Sequence, residues 1–139
     1  MSTIVVGYDG SDGSRASLDR AIELAKELDD KVMVVFGAAA RGAIGGEMSS
    51  HEEAIEERGE QVMGYATDQA KAHGFEVETK VIHQAHPAEA LIEEAQSAGA
   101  RMIVVGNQGG PSPLRGAILG AVPFKLVHLS PVPVLVVPP

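Results

Sequence analysis

The stretch IVVGYDGSDGSRASLDRAIELA, residues 4–25, contains one complete change of period. Its start belongs to Thr3–Tyr8 (TIVVGY), a β-branched apolar run of the kind that forms a buried strand. Asp9-Gly10-Ser11-Asp12-Gly13 then breaks the run with turn formers. Leu18, Ala21, Ile22, Ala25 and Leu28 follow at helical spacing. Ser11 is placed to cap that helix, because its hydroxyl can accept one of the backbone N–H groups a helix start leaves unpaired. A strand fed through a short turn into a helix is the first half of a βαβ unit.

The alternation repeats outward to the end of the chain. Lys31–Phe36 (KVMVVF) is a second apolar strand, and Gly37–Ser50 is a small-residue, Gly-rich loop. From His51, the positions of Ile55, Val62, Met63, Ala66 and Ala70 predict a second helix. Glu52, Glu53, Glu56, Glu57 and Glu60 form its solvated face, and His73-Gly74 ends it. Phe75–Ile82 (FEVETKVI) alternates in polarity, which predicts a strand exposed on one face and suited to a sheet edge. Pro87 opens a third helix at the favoured first-turn position, with Ala88, Leu91, Ile92 and Ala95 facing inward and Gly99 closing it. Arg101–Val105 (RMIVV) is a strand that ends at Gly106. A Gly/Pro loop runs to Gly116, then Leu119, Val122, Leu126 and Leu129 mark a last helix before the strand Val132–Val137 (VPVLVV). Strands that alternate with helices imply an α/β domain over residues 1–139: an open parallel sheet with helices on both faces. Right-handed crossovers leave few strand orders, and a ligand belongs beyond the C-terminal strand ends, where the connections diverge.

Composition removes several classes of function. The formal net charge of the 139 residues is -8, so nucleic acid and anionic membrane are poor partners. Aromatic residues make up 4% and Trp is absent, which leaves little surface for base stacking. The absence of Cys removes disulfides, thiolate metal sites and Cys nucleophiles. No apolar run approaches the ~18 residues of a membrane span. Met1-Ser2-Thr3 leads into the first strand without a basic segment, so the expected location is cytoplasmic. His83 and His86 fall near a strand end, where their spacing puts them on opposite faces, so no metal site is expected.

The candidate site lies in Val104–Val122, VVGNQGGPSPLRGAILGAV. A strand ends at Gly106, Gly109, Gly110 and Gly116 follow, and Gly120 stands at the start of a helix. Glycines let backbone N–H groups approach a phosphate closely, and a helix N-terminus adds its positive dipole end. No Lys-Ser or Lys-Thr follows, so this is not a Walker loop. A plain surface loop would also use these residues, and Pro111 and Pro113 suit one.

Three blocks carry a family resemblance. They are residues 4–25, residues 86–109 (HPAEALIEEAQSAGARMIVVGNQG) and residues 119–138 (LGAVPFKLVHLSPVPVLVVP). Through them the chain resembles universal stress proteins from end to end. The resemblance implies a Rossmann-like, five-stranded sheet of order 3-2-1-4-5, with Asp9 and Gly106 facing each other across the crevice. Nucleotide-binding members of that family carry G-x2-G-x9-G-[ST], in which the glycines and the hydroxyl hold phosphates and ribose and the first-strand Asp contacts adenine. Carried onto this chain, the implied nucleotide site is Asp9, Gly10, Gly37, Gly106, Asn107, Gly109, Gly110, Arg115, Gly120, Ala121 and Val122. The implied ligand is ATP, with Mg, or another adenine nucleotide such as AMP or cyclic AMP. The resemblance also implies a homodimer paired through Val134, Leu135, Val136 and Val137, an apolar strand at the sheet edge.

The chain departs from the pattern at three points. Ten residues, not nine, lie between Gly109 and Gly120, although counting from Gly110 gives nine. Ala121 replaces the hydroxyl residue, which removes a hydrogen bond to a charged acceptor worth roughly 1–3 kcal/mol. Gly37 replaces the family's adenine-contacting Val. Two readings follow: a nucleotide-binding stress-response module, or a homodimeric scaffold of the same fold that works through protein contacts without nucleotide. No catalytic residue is assigned. The loop from Gly106 to Gly120 contains no carboxylate or His that could serve as a base near phosphate, so an enzyme is not expected beyond a weak ATPase.

Overall fold

The computed structural model describes residues 1–38, 48–83, 86–107 and 121–138. Five strands and four helices alternate along them. They are β1 Thr3–Gly7, α1 Asp12–Leu28, β2 Lys31–Ala38, α2 Met48–Ala72, β3 Glu78–His83, α3 Pro87–Ala98, β4 Ala100–Gly106, α4 Ala121–Leu129 and β5 Val134–Val137. The strands form one parallel sheet of order β3-β2-β1-β4-β5.

Strand alternation divides the core between the two faces of the sheet. Ile4, Val6 and Tyr8 of β1 and its exit pack with Leu18, Ile22 and Ala25 of α1 and Val62, Met63 and Ala66 of α2. Val5, Val35, Ile103 and Val105 point the other way, against Ala88, Leu91 and Ala95 of α3 and Leu126 of α4. β1, in the centre, is fully buried at Ile4, Val5 and Val6, which explains its unbroken apolar run. The acidic face of α2 is solvated as expected, with Glu53, Glu56, Glu57 and Glu60 exposed.

Helix ends follow the sequence signals. Ser11 caps α1, its side chain accepting the Ser14 N–H, and Pro87 stands in the first turn of α3. Gly99 closes α3 at φ 62, where only glycine is unstrained. Several boundaries differ from the periodicity: β2 runs past Phe36 to Ala38, so Gly37 lies in the strand rather than the loop, and β5 starts at Val134 rather than Val132. α2 starts at Met48, before His51. β3 starts at Glu78 rather than Phe75, because the Phe75 N–H donates to Ala70 O at 3.0 Å and so belongs to the end of α2. The side chains of Phe75 and Val77 still pack on the α1–α2 core, so the alternation was read correctly but the backbone pairing began later.

The N-terminal end of the sheet is locked by an ion pair between a buried carboxylate and an exposed arginine. Between Thr3↔Ala100 and Ile4↔Met102 the β1–β4 register shifts, leaving Arg101 as the extra residue of β4. Arg101 Nε donates to Asp30 Oδ2 at 2.6 Å, and the Ser2 N–H donates to Asp30 Oδ1 at 2.9 Å. The Asp30 side chain is 0% exposed. Hydrogen bonding from Arg101, with a smaller share from the Ser2 N–H, outweighs desolvation and holds its carboxyl below the usual carboxylate range. This fixed end leaves the opposite end of the sheet as the place where strands diverge.

Candidate nucleotide site

β1 leaves the sheet toward α1 on one face, whereas α4, which follows β4, packs on the other face. The C-terminal ends of these neighbouring strands therefore form the topological switch point, where open α/β sheets bind ligands. Asp9 and Asn107 each stand three positions beyond the paired residues Val6 and Val104.

The floor of this crevice is tightly built. A Cβ on Gly106 would lie 2.9 Å from Gly13 C and 3.0 Å from Gly13 O, so only glycine lets the first turn of α1 sit against the end of β4. Gly10 has φ +86, which turns the chain from β1 into α1. Its N–H donates to Ser14 Oγ at 3.1 Å, and the Ser14 hydroxyl donates to Ser11 O at 3.0 Å. Asp9 Oδ1 accepts the Ser11 N–H at 2.9 Å. Burial works to raise the Asp9 carboxyl, but hydrogen bonds from Ser11 and Ser14 outweigh it and hold the group below the ordinary range. Asp9 thus stands at the rim as a fixed carboxylate, residue-wise exposed to solvent.

Tyr8 and Gln69 were not singled out by sequence reasoning, yet they tie the exit of β1, next to Asp9, to α2 and α1. The buried Tyr8 donates its N–H to Val35 O at 3.0 Å and its hydroxyl to Gln69 Oε1 at 3.1 Å. Burial raises the Tyr8 hydroxyl above its usual range, which keeps it a donor. Gln69 Nε2 in turn donates to Asp19 Oδ1 and to Arg15 O, both at 2.7 Å. Tyr8 follows the strand pattern as a core residue, and nothing local marks Gln69, whose partners are about fifty residues away in sequence.

The remaining expected site residues divide into three groups. Gly109, Gly110, Arg115 and Gly120 lie outside the described residues, as does the loop segment 39–47. Ala121 and Val122 form the first turn of α4, whose early N–H groups have no intrahelical partner. The partly buried Val122 itself packs on the α3-side core. Gly37 is the penultimate residue of β2, beside the first turn of α3. A Cβ there would meet Pro87 Cα at 3.8 Å and Ala90 Cβ at 3.9 Å, ordinary contacts, so packing does not demand glycine at this position. The Asn107 N–H donates to Val137 O at 2.9 Å, so it is not available to a ligand.

The edge strand β5 has the expected character. Val134 and Val136 pack on one face of the sheet, and Leu135 and Val137 on the other. Ile103 N–H donates to Pro133 O and Asn107 N–H to Val137 O, so the backbone groups of Val134 and Val136 point away from β4. Beside β5, Phe124, Val127 and Leu129 of α4 are exposed. Among the described residues no cluster could hold a metal ion, and no helix is long and apolar enough to cross a membrane.

A parallel β3-β2-β1-β4-β5 sheet with helices on both faces, with an Asp just past the end of one central strand and a Gly at the end of the other, defines a Rossmann-like domain. The universal stress protein family profile matches residues 1–138. The chain belongs to the universal stress protein family. It is 30% identical to the universal stress protein YxiE of Bacillus subtilis, over 99% of each chain. A solved universal stress protein in complex with cAMP is 32% identical, with a TM-score of 0.70 over 98% of this chain and 95% of that one. A universal stress protein family member from Burkholderia pseudomallei is 26% identical, with a TM-score of 0.79 over 99% and 96%.

Proposed function

We propose that the chain is a regulatory stress-response module that binds an adenine nucleotide at the β1–β4 switch point. The observation that carries the reading is the Gly106–Gly13 contact, which holds the first turn of α1 against the end of β4, beside the neighbouring strand ends that lead to Asp9 and Asn107. The cAMP complex of a relative with 32% identity supports the choice of an adenine nucleotide. Asp9, Gly10, Gly106 and Asn107 would form the base and sugar side. Gly109, Gly110, Arg115 and Gly120, with the N–H groups of Ala121 and Val122, would form the phosphate side. Gly37 would leave room beside the base.

The missing hydroxyl at Ala121 weakens the phosphate side, so AMP and cyclic AMP suit the site better than ATP with Mg. Binding rather than catalysis is the expected output, because the Gly106–Gly120 loop has no group to act as a base. A cytoplasmic, single-domain protein acting as a β5-paired homodimer completes the reading.

The scaffold alternative is favoured by one observation: β5 presents outward backbone groups next to the exposed Phe124, Val127 and Leu129. Calorimetric titration with ATP, AMP and cyclic AMP separates the two readings. Saturable binding that a Gly109→Asp, Gly120→Asp variant loses supports the nucleotide module. No heat of binding up to millimolar ligand leaves the scaffold.

A further inference from the structure

We infer that Asn107 determines which nucleoside the crevice accepts, through a hydrogen bond that its side-chain oxygen takes from the ligand's 6-amino group or a ribose hydroxyl. This rests on the nucleotide reading above. Asn107 Oδ1 is buried and accepts no hydrogen bond from any described residue. A buried acceptor without a donor is costly and uncommon in folded proteins, so its presence at a ligand crevice calls for a reason. The main chain of Asn107 is fixed by the bond from its N–H to Val137 O. That bond continues the β4–β5 ladder past Gly106, so strand alternation places Asn107 on the same face as Ile103 and Val105.

A second observation lies on that face. Among the described residues, the other buried side-chain atom without a partner is Glu89 Oε2, also an acceptor. Glu89 belongs to the first turn of α3, which packs on the Ile103–Val105 side of the sheet, and its other oxygen lies 3.9 Å from Lys125 Nζ. Asp9, held ionised, adds a carboxylate at the neighbouring strand end. Asp9 and Asn107 Oδ1 accept hydrogen bonds at neighbouring strand ends, so they favour a ligand edge made of donors. Adenine carries an amino group at position 6, where hypoxanthine carries a carbonyl that would face these acceptors lone pair to lone pair.

The test compares the wild-type protein with Asn107→Leu, which keeps the size of the side chain and removes its polar atoms. Each is melted without ligand and titrated with AMP, inosine monophosphate and 2′-deoxy-AMP. The ligand-free variant should melt about 3 °C higher, since the unpaired acceptor is gone. It should bind AMP about tenfold more weakly. If the base amine is the donor, its preference for AMP over inosine monophosphate should collapse. If the sugar is the donor, its preference for AMP over 2′-deoxy-AMP should collapse instead. Asn107→Asp keeps an acceptor and should retain the wild-type preference, which also covers the case in which Asn107→Leu does not fold. Unchanged AMP affinity in Asn107→Leu, or a weakened affinity with both preferences intact, overturns the role of Asn107 alone. A wild-type protein that binds none of the three overturns the nucleotide reading with it.

Discussion

At the scale of single residues, the two ends of the sheet make opposite demands. Gly106 has no side chain because the backbone of Gly13 occupies the space, and backbone cannot rotate aside. Gly106→Ala should therefore cost about 1–3 kcal/mol and lower the melting temperature by several degrees, measured by thermal unfolding. At the other end, Asp30 is held ionised by Arg101 and Ser2. Its folded-state pKa lies below the unfolded value of about 3.9. The stability it contributes is present above that value and is lost as pH falls through the lower, folded one. Asp30→Asn should melt well below wild type at pH 7, and the gap should narrow below about pH 4. A gap that is constant across that range would show that the Asp30 charge is not what matters.

At the scale of elements, α2 offers an internal contrast. It holds two interior glycines, Gly59 and Gly64. A Cβ on Gly59 would lie 2.7 Å from Val81 Cγ1 and 3.1 Å from Phe36 Cδ1, where a β-branched side chain on β3 has little freedom to move. A Cβ on Gly64 would meet nothing within 4 Å. Alanine raises helix propensity by up to about 1 kcal/mol at either site. Gly64→Ala should therefore stabilise the protein, whereas Gly59→Ala should destabilise it by about 1 kcal/mol despite the same propensity gain. Denaturant midpoints of the two variants check this directly.

The elements also show where the sequence was legible. Buried strands and helix caps could be read because their signals are local: Ser11, Pro87 and Gly99 act within their own turns. The start of β3 could not, because the bond from Phe75 to Ala70 O depends on how α2 ends. The Asp9 turn was visible as a turn, but the tie beside it through Tyr8 and Gln69 was not, since those contacts exist only after α2 has packed on α1. The unpaired oxygen of Asn107 was equally invisible, because burial of one atom has no sequence signature.

At the scale of the whole molecule, the sheet ends on one side in the apolar β5 and on the other in β3, whose Glu78, Thr79 and Lys80 are exposed. The Val136 N–H points away from β4, so proline at this position removes an outward donor without touching the β4–β5 ladder. If two copies pair through β5, Val136→Pro should convert a dimer into a folded monomer, read by light scattering with an unchanged circular dichroism spectrum. A dimer that survives the substitution is held by another surface.

An adenine nucleotide bound at the β1–β4 switch point, as proposed, would touch both strand ends. Amide-resolved NMR during titration with AMP tests this most directly, because each strand end reports separately. Saturable shifts are expected at Gly10, Ser11, Gly106 and Asn107, with Ser2, Asp30 and Arg101 at the opposite end unmoved. No shifts up to millimolar AMP, or shifts confined to the Asp30–Arg101 end, would contradict binding at the switch point.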